Sequence, residues 1–492
     1  MKRLAVLYII LTLIASDLSA KSESIQLSLD EVIERACKES PDAESARHSF
    51  RSSYWTYRSF KADYFPALTL SSAPFLNRSI NQVTLPDGTM KFTKQNILST
   101  DLGFTITQNV PITGGSFTIS TSTQRLDMIG NEQNTSWQTI PINIGYSQAL
   151  FGYNRLKWDR RIEPIRYIEA KKKYIEAMEL VSVEAANRFF VLAMAQSLLK
   201  SSIINFSQAD TLFLYAKGRY KLGTITENDM LQLELNRLNE QTNKMNAQIE
   251  VDNAIQKLRS YLGIQQDINL QVELSDSLPD MVITLDKAIT MAMENSSDIE
   301  NIKRLKLESR SQVSQAKANA GLKADVYMRL GLTQTAEKFS SAYKNPMNQQ
   351  YATIGISLPI LDWGKGKGRI RMARSNKDLI FTQANQALND FQLNVQKLVK
   401  QFNLQGQRVR LASKVNKTAQ RRADVARRLY LLGKSSILDL NSSISEKNKA
   451  IQNYVSALSN FWEQYYTIRS ITHYDFYRDR NIEVDYKDLI SL

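Results

Sequence analysis

The chain has 492 residues, of which 43% are hydrophobic and 23% are charged, and its formal net charge is +14. Together with a mean hydropathy of −0.34, these values exclude a disordered chain and a polytopic helical membrane protein. The single cysteine, Cys37, excludes a disulfide framework and a cysteine-based zinc site. Only two histidines, His48 and His473, are available for metal ligation or histidine-based catalysis.

The first 20 residues have the plan of a secretory signal peptide. A basic start at residues 1–3 precedes an apolar run at 4–15, and small or polar residues at 16–20 lead to a predicted cleavage after Ala20. The longest later apolar stretch on a helical pattern, residues 189–195, is far too short to span a bilayer. An exported chain of this kind is therefore expected to re-enter a membrane only as a closed β-barrel.

The remainder of the chain reads as two copies of one plan. Segments 28–33, 144–147 and 220–223 recur at 284–289, 354–357 and 430–433, with offsets of 256, 210 and 210 residues. The last pair is followed by Asp229 in one copy and Asp439 in the other. The difference between the offsets indicates about 46 extra residues in the first copy, between its first helix and Gly145. We therefore predict a first repeat at 21–275, a second at 276–475 and a C-terminal tail at 476–492.

Each copy is predicted to contain a helix, strands, a long helix and a returning helix. Proline is absent from 165–278 and 360–492, which permits very long helices. The predicted helices are 29–64, 155–217 and 227–262 in the first copy, and 285–320, 365–428 and 437–470 in the second. The predicted strands, which alternate with period two, are 67–71, 102–107, 116–120 and 142–146, then 326–332 and 352–357. A long helix spans roughly 95 Å, matching two short helices end to end, as expected in a tube of antiparallel helices.

The returning helix of the first copy carries an apolar stripe with mostly three- and four-residue spacing. This pattern is typical of a coiled-coil seam, and its simplest interpretation is helix–helix core. Its members are Leu231, Leu235, Leu238, Met245, Ile249, Leu258 and Leu262.

The signal peptide, the two tandem copies and a Y-x-L-G-x5-D turn in each copy resemble the TolC-like outer-membrane efflux protein family. Segments 147–154 and 358–364 look like that family's end-of-strand motif. The resemblance implies a mainly α fold with a transmembrane β-barrel portion, in which three identical chains close one tube in the outer membrane and the periplasm. It also implies a passive, porin-like exit duct without enzyme activity or cofactor. Its implied partners are a periplasmic adaptor protein, an inner-membrane transporter and outer-membrane lipids.

The family barrel uses four strands per subunit, two from each copy. Here the first copy has extra strand-like sequence near 97–127, around a hairpin-turn signal at residues 111–115. This sequence is either a surface hairpin or two further membrane crossings, and four crossings per subunit are favoured.

The two glycine turns are the candidate functional residues. Gly223 and Gly433 are expected to adopt positive φ, and Asp229 and Asp439 stand three residues after a hydroxyl, where each acid could simply cap a helix. The resemblance implies a second role, because in the family this turn is the periplasmic tip. By that match Asp439, Tyr430 and Asp229 are candidates for the pore constriction. The candidates for adaptor contact are Leu222, Gly223, Thr224, Leu432, Gly433 and Lys434.

The sequence departs from the family pattern at two gate positions. Ser442 stands where the family can have a second constricting acid, and Ser435 stands where it can have a gate arginine. If the match holds, the gate is weaker or differently latched.

The sequence offers little support for nucleotide binding, catalysis or metal binding. The glycine-lysine run at 364–368 lacks the spacing of a phosphate-binding loop, and the basic residues from Lys365 to Arg374 either meet anionic lipid headgroups or stay solvated. No nucleophile–base–acid set or metal-ligand cluster is present, and no nucleic-acid partner is expected. The alternative function is an exported coiled-coil spacer or adhesin without a pore.

Overall fold

The computed structural model describes residues 24–129, 134–265, 268–274 and 278–490, so the predicted signal peptide lies outside the described residues. The chain forms two compact units. A helical unit comprises the described residues of 24–51, 170–299 and 389–490, and a sheet unit comprises those of Ser52–Glu169 and Glu300–Leu388. Both predicted repeats contribute to both units, and the repeat boundaries stay predictions.

The first predicted helix of each copy is two helices in the structure. Helices α1 (Leu29–Glu39) and α2 (Pro41–Ala62) are separated by Ser40, and the later pair Leu285–Asn295 and Ser297–Ala320 is separated by Ser296. Both serines have extended backbone, with ψ of 148° and 144°.

The two breaks are stabilised in a similar way. The Ser40 hydroxyl accepts from the Ala43 N–H at 3.1 Å, and the Ser296 hydroxyl accepts from the Asp298 N–H at 3.1 Å. Each serine thus caps the helix that follows it, and Pro41 further disfavours a helical Ser40. The prediction of continuous helices at 29–64 and 285–320 is therefore wrong.

The long and returning helices match the prediction to within a few residues. They are α3 (Arg155–Lys221), α4 (Glu227–Tyr261), α7 (Lys365–Leu431) and α8 (Ile437–Thr472). The two helices on either side of Ser296 are α5 (Leu285–Asn295) and α6 (Ser297–Ala320). A short α9 (Tyr486–Ile490) closes the described chain.

Helix α3 is long and apolar enough, by length and composition, to be a candidate membrane span, which the sequence analysis did not anticipate. Its apolar residues Phe189, Phe190 and Leu192 are buried in the core of the helical unit. That core also contains Leu258 of α4 and, from α7 and α8, Phe402 and Phe461, whose ring centroids are 5.1 Å apart. Packing within the unit thus accounts for the apolar composition of α3.

Two short parallel strands pair within the helical unit, one before α1 and one after α4. Strand β1 (Ser24–Leu27) pairs with β7 (Asn269–Val272), from Ser24 opposite Asn269 to Leu27 opposite Val272. Ser28 then begins α1 with a complete capping box formed with Glu31.

A buried ionic network connects α3 to the end of α8. Arg469 donates from Nη2 to Glu179 Oε1 at 2.9 Å and from Nη1 to Asp475 Oδ2 at 3.3 Å. Tyr465 donates its hydroxyl proton to Asp475 Oδ1 at 2.7 Å. Burial raises the pKa of Glu179. Each carboxylate in this cluster therefore depends on Arg469 for a compensating charge.

His473 follows α8 in a left-handed conformation, with φ of 48°, and is 3% exposed. Burial lowers the pKa of its imidazole from 6.5 to about 4. Between these two pH values the unfolded chain binds more protons at this histidine than the folded chain does. The contribution of His473 to the free energy of unfolding is therefore complete above pH 6.5 and decreases as the pH falls toward 4.

We expect His473→Asn to remove about 2.5 kcal/mol of this pH-dependent destabilisation between pH 7.5 and pH 4.5, because asparagine tolerates the left-handed backbone and carries no titrating group. The measurement is urea unfolding of the detergent-solubilised protein at pH 7.5 and pH 4.5. The control is His48→Asn, at a histidine whose side chain is 61% exposed, which should leave the pH dependence unchanged. Equal pH dependence in wild type and His473→Asn would contradict the assignment.

The sheet unit holds one antiparallel sheet of seven strands. They are β2 (Ala67–Ser71), β3 (Phe75–Thr84), β4 (Met90–Val110), β5 (Gly115–Met128), β6 (Asn134–Ala149), β8 (Lys323–Ala336) and β9 (Met347–Ser357). Strands β2 and β3 both pair with β4, and the order continues β4-β5-β6-β8-β9. Because Ser71 lies opposite Gly103 and Phe75 opposite Ser99, β2 and β3 form one interrupted line.

The sheet therefore contains six strand lines, four of them from the first copy and two from the second, and the favoured number of four membrane crossings stays a prediction. Every predicted strand lies within an observed one. The extra residues of the first copy form most of β4, β5 and their turn, in which Gly114 has φ of 80°. The sequence signal at residues 111–115 was thus a true hairpin turn.

Candidate functional site

Each glycine turn of the helical unit has the same backbone geometry in both copies. Gly223 has φ of 68° and its N–H donates to the Tyr220 carbonyl at 2.9 Å, while Gly433 has φ of 72° and donates to the Tyr430 carbonyl at 2.9 Å. The next N–H groups, of Thr224 and Lys434, reach five residues back at 2.9 Å. This is the Schellman pattern, which satisfies the last carbonyls of a helix and requires a left-handed residue. The prediction of positive φ at both glycines is confirmed.

A prediction follows from the open space around Gly433, where an added Cβ would meet no atom within 4 Å. Gly433→Val is expected to destabilise the turn by roughly 1–2 kcal/mol through backbone strain alone. Gly433→Asn should cost less, because asparagine visits the left-handed region. Hydrogen exchange of the backbone amides at positions 433 and 434 measures the difference in stability between the two variants. Equal protection in the two variants would argue against a strained turn.

The two acids beside the turns have different hydrogen bonds. Asp229 forms a complete capping box with Thr226, accepting from its N–H at 3.2 Å and its hydroxyl at 2.8 Å. Asp439 donates its N–H to the Ser436 hydroxyl at 3.2 Å, but its carboxylate accepts from the Ser435 hydroxyl at 2.8 Å. The helix-cap interpretation thus describes the carboxylate of Asp229, whereas the carboxylate of Asp439 is directed to other partners.

The second partner of Asp439 is an arginine that the sequence analysis missed. Arg422 Nη2 lies 3.5 Å from Asp439 Oδ1, and Arg422 also pairs with Glu446. Arg422 and Glu446 stand twelve residues before and after Lys434, so a search for residues equidistant from the turn could have found this pair. Asp210 and Arg237 bridge the first-copy turn in the same way, at 2.6 Å.

The two gate positions that depart from the family pattern both hydrogen-bond to nearby acids. Ser435 donates to Asp439, and the Ser442 hydroxyl donates to Glu446 Oε1 at 3.4 Å.

A cavity of about 660 Å³ lies beneath the two turns. Asp229, Tyr430 and Arg219 line it, together with apolar side chains that include Leu212 and Leu233. Burial raises the pKa of the Tyr430 phenol, with Arg219 and Asp229 among the nearby charges. The structure thus brings two of the three predicted constriction residues, Tyr430 and Asp229, to one cavity. Asp439 is absent from its lining and is paired with Arg422 instead.

The predicted adaptor-contact residues form the outer surface of these turns. Leu222 is 79% exposed and Leu432 is 68% exposed, and the remaining four are exposed as well. Two large apolar side chains at such exposure are typical of a contact surface.

The predicted coiled-coil seam of α4 is only partly internal. Leu258 and Leu262 are buried, but five members remain 46–62% exposed in the isolated chain: Leu231, Leu235, Leu238, Met245 and Ile249. Within the single chain, the stripe is therefore helix–helix core only at Leu258 and Leu262. An exposed apolar stripe at helical spacing is typical of a helix that packs against another chain.

The sheet has one apolar face and one polar face. A single row of paired residues runs Leu68, Ile106, Ile119, Ile144 and Leu330 across five strands. These side chains are 39–68% exposed. Because residues opposite each other in an antiparallel sheet point to the same side, the row is a continuous apolar surface.

The adjacent row points to the opposite face and is polar. It runs Thr69, Thr105, Ser120, Asn143 and Gly331. Asn143 donates to the Ser120 hydroxyl at 3.0 Å and accepts from Arg329 at 2.8 Å. A sheet of this kind can separate lipid from water.

Both edges of the sheet are available for pairing. The line of β2 and β3 pairs only with β4, and β9 pairs only with β8, among the strands that the structure describes. Unpaired edges of this length normally need a further strand or a cover.

Comparison with known proteins agrees with this geometry. Residues 288–472 match the family model described as "Outer membrane efflux protein". No curated protein sequence matches the chain.

Solved structures match nearly the whole chain at low sequence identity. The CmeC outer membrane channel of Campylobacter jejuni has 12% identity and a TM-score of 0.67, covering 94% of this chain and 88% of its own. The outer membrane protein VceC of Vibrio cholerae has 13% identity and a TM-score of 0.62, covering 90% and 95%. The open state of the MtrE outer membrane channel of Neisseria gonorrhoeae has 12% identity and a TM-score of 0.58, covering 93% and 91%.

The family match and the structural matches confirm the resemblance on which the sequence analysis relied. The matched region includes α7, the second glycine turn and α8, which carry Tyr430, Gly433 and Asp439. Residues 288–472 therefore form an outer membrane efflux protein domain, and the chain has the mixed helical and sheet fold of TolC-like channels.

Proposed function

We propose that three copies of this chain form one outer-membrane channel, which acts as the passive exit duct of a tripartite efflux or type I secretion system. In this proposal the sheets of three chains join edge to edge into one β-barrel, and the helices continue the duct into the periplasm. A periplasmic adaptor protein and an inner-membrane transporter deliver the cargo. The channel itself carries out no catalysis.

The observation that carries the proposal is the two-faced sheet, whose two edges have no partner among the strands that the structure describes. Its apolar row suits lipid and its polar row suits a water-filled lumen. Joining β9 of one copy to the β2–β3 line of the next would satisfy both edges, since a closed barrel leaves no strand edge in lipid. The exposed apolar stripe of α4 supports the same assembly, because a second copy would cover it.

The glycine turns are the proposed periplasmic end. Leu222, Gly223, Thr224, Leu432, Gly433 and Lys434 would contact the adaptor through their exposed surface. Asp439, Tyr430 and Asp229 would lie at the constriction. Asp439 is the acid we expect to matter most there, because its carboxylate is not used to cap its own helix.

Conductance of the purified, reconstituted protein in planar lipid bilayers tests the proposal. Discrete single-channel steps from a trimeric preparation are expected. A monomeric protein, or a trimer that gives no conductance, would instead favour the exported spacer or adhesin.

A further prediction concerns the constriction. Three converging carboxylates favour cations, so Asp439→Ala is expected to reduce cation selectivity severalfold, and addition of Tyr430→Phe should raise the resting conductance. Arg422→Gln is expected to have the opposite effect on cation selectivity. It removes the cation that partly neutralises Asp439 and should increase cation selectivity.

Reversal potentials in a salt gradient measure the selectivity of Asp439→Ala and Arg422→Gln, and the current in symmetric salt measures the resting conductance of the variant with Tyr430→Phe added. Unchanged selectivity in both Asp439→Ala and Arg422→Gln would exclude Asp439 from the constriction.

A further inference from the structure

The β4–β5 hairpin is an addition to the plan that the two copies share. The β6–α3 junction matches the β9–α7 junction with an offset of 210 residues, while α1 matches α5 with an offset of 256. The second copy makes one outgoing strand, β8, and one returning strand, β9. The first copy makes the equivalent pair, β2–β3 and β6, with β4 and β5 inserted between them.

The inserted strands have the same two faces as their neighbours. Ile106 of β4 and Ile119 of β5 occupy the middle of the apolar row, between Leu68 and Ile144. Thr105 and Ser120 occupy the middle of the polar row. A hairpin lying outside the membrane would have no physical reason to continue both rows in register.

The pairing of the inserted strands is also continuous. Strand β4 pairs with β5 over fourteen successive residues, from Ile97 opposite Met128 to Val110 opposite Gly115. The turn at its end is held by the Gly114 N–H, which donates to the Val110 carbonyl at 2.8 Å. The hairpin is thus an integral part of the sheet rather than a loop folded over it.

We propose that the β4–β5 hairpin is a membrane-spanning part of the channel wall, so that the outlet contains eighteen strands and admits solutes of larger cross-section than a twelve-strand outlet. This inference rests on the proposed trimer, in which each chain contributes six strand lines. Barrel diameter grows roughly linearly with strand number, so the outlet area would be roughly twofold larger.

The added wall also sets the chemistry of the outlet. The lumen-facing side chains that it contributes between Gly103 and Ser120 are mainly hydroxyls, including Thr105, Thr107, Thr118 and Ser120. An uncharged hydrophilic surface admits hydrated solutes of either sign. The wall that the hairpin adds is thus suited to bulky polar cargo and does not itself select by charge.

Accessibility of single cysteines tests whether the hairpin crosses the membrane. In a Cys37→Ser background, the pairs are Phe104→Cys with Thr105→Cys on β4, and Ile119→Cys with Ser120→Cys on β5. The control pair on β9 is Ile354→Cys with Thr353→Cys. In the reconstituted trimer, a water-soluble maleimide should react at least about tenfold faster with the lumen-facing member of every pair, because the other member faces lipid.

The control pair distinguishes the two ways of failing. If β9 shows the contrast while β4 and β5 do not, the hairpin lies outside the membrane, and this inference is overturned while the proposed function stands. If no pair shows it, the sheet does not form a membrane wall and both fail.

A second measurement tests the width. Neutral polyethylene glycols of increasing size are added on the barrel side of wild type and of a variant in which an Asn-Gly turn replaces residues 80–133. The largest polymer that lowers the conductance should be bigger for wild type. Equal cutoffs would overturn the wider outlet, and if the variant does not assemble, the cysteine pairs still decide whether the hairpin spans.

Discussion

If the sheet forms a membrane wall as proposed, exchanging Ile354 for arginine is expected to destabilise it by up to about 2–4 kcal/mol, the cost of a cationic side chain facing lipid at the bilayer midplane. Ile354 lies opposite Val326, belongs to the apolar face and is 67% exposed. The matched control is Thr353→Arg, one residue earlier and on the polar face. The measurement is denaturant unfolding from lipid vesicles, with the amount of assembled trimer as a second readout.

The two variants differ by one residue in position and by nothing in the side chain introduced. Their difference therefore reports the environment of each face rather than the effect of arginine itself. Equal loss of stability would mean that both faces meet the same solvent, which would contradict the membrane wall.

Replacing Arg469 with leucine is expected to cost about 3–5 kcal/mol, because Glu179 and Asp475 would lose their compensating charge. The Arg469 side chain is 18% exposed and that of Glu179 is 8% exposed, so water cannot readily replace the ion pair. Unfolding of the detergent-solubilised protein by urea at neutral pH measures the cost.

A double variant separates the ion pair from the packing. Glu179→Gln with Arg469→Leu removes one buried charge together with its partner and should recover part of the lost stability. If the double variant loses as much stability as Glu179→Gln and Arg469→Leu lose together when made singly, the two residues act independently, which would contradict the network.

The sequence predicted the elements of this fold well because its periodicity is regular and duplicated. Proline-free windows and the recurring Tyr-x-Leu-Gly turn located four long helices to within a few residues. The positive φ angles of Gly223 and Gly433 were also predictable, since few residues other than glycine end a helix in the left-handed conformation.

Two features of the fold, the helix breaks and the number of strands, could not be predicted from the sequence, for physical reasons. The breaks at Ser40 and Ser296 depend on one hydroxyl hydrogen bond each, and a serine inside an apolar pattern does not interrupt the helical period. The strand count depends on pairing between distant segments, whereas alternation describes only one strand at a time.

The candidate site was predictable in its residues but not in its partners. Asp439 was identified from the turn motif, yet its pairing with Arg422 depends on how two helices face each other. The roles of Ser435 and Ser442 were likewise visible only once neighbouring acids were positioned.

The unequal hydrogen bonding of Asp229 and Asp439 has a consequence for the symmetry of the proposed trimer. Three duplicated chains present six turns around one axis, and their backbones are nearly equivalent because Gly223 and Gly433 have φ values of 68° and 72°. The charges are not equivalent, since one acid closes a capping box and the other faces Arg422. A partner that binds the turn backbone would therefore find six near-identical positions, whereas one that binds the pair of Arg422 with Asp439 would find three.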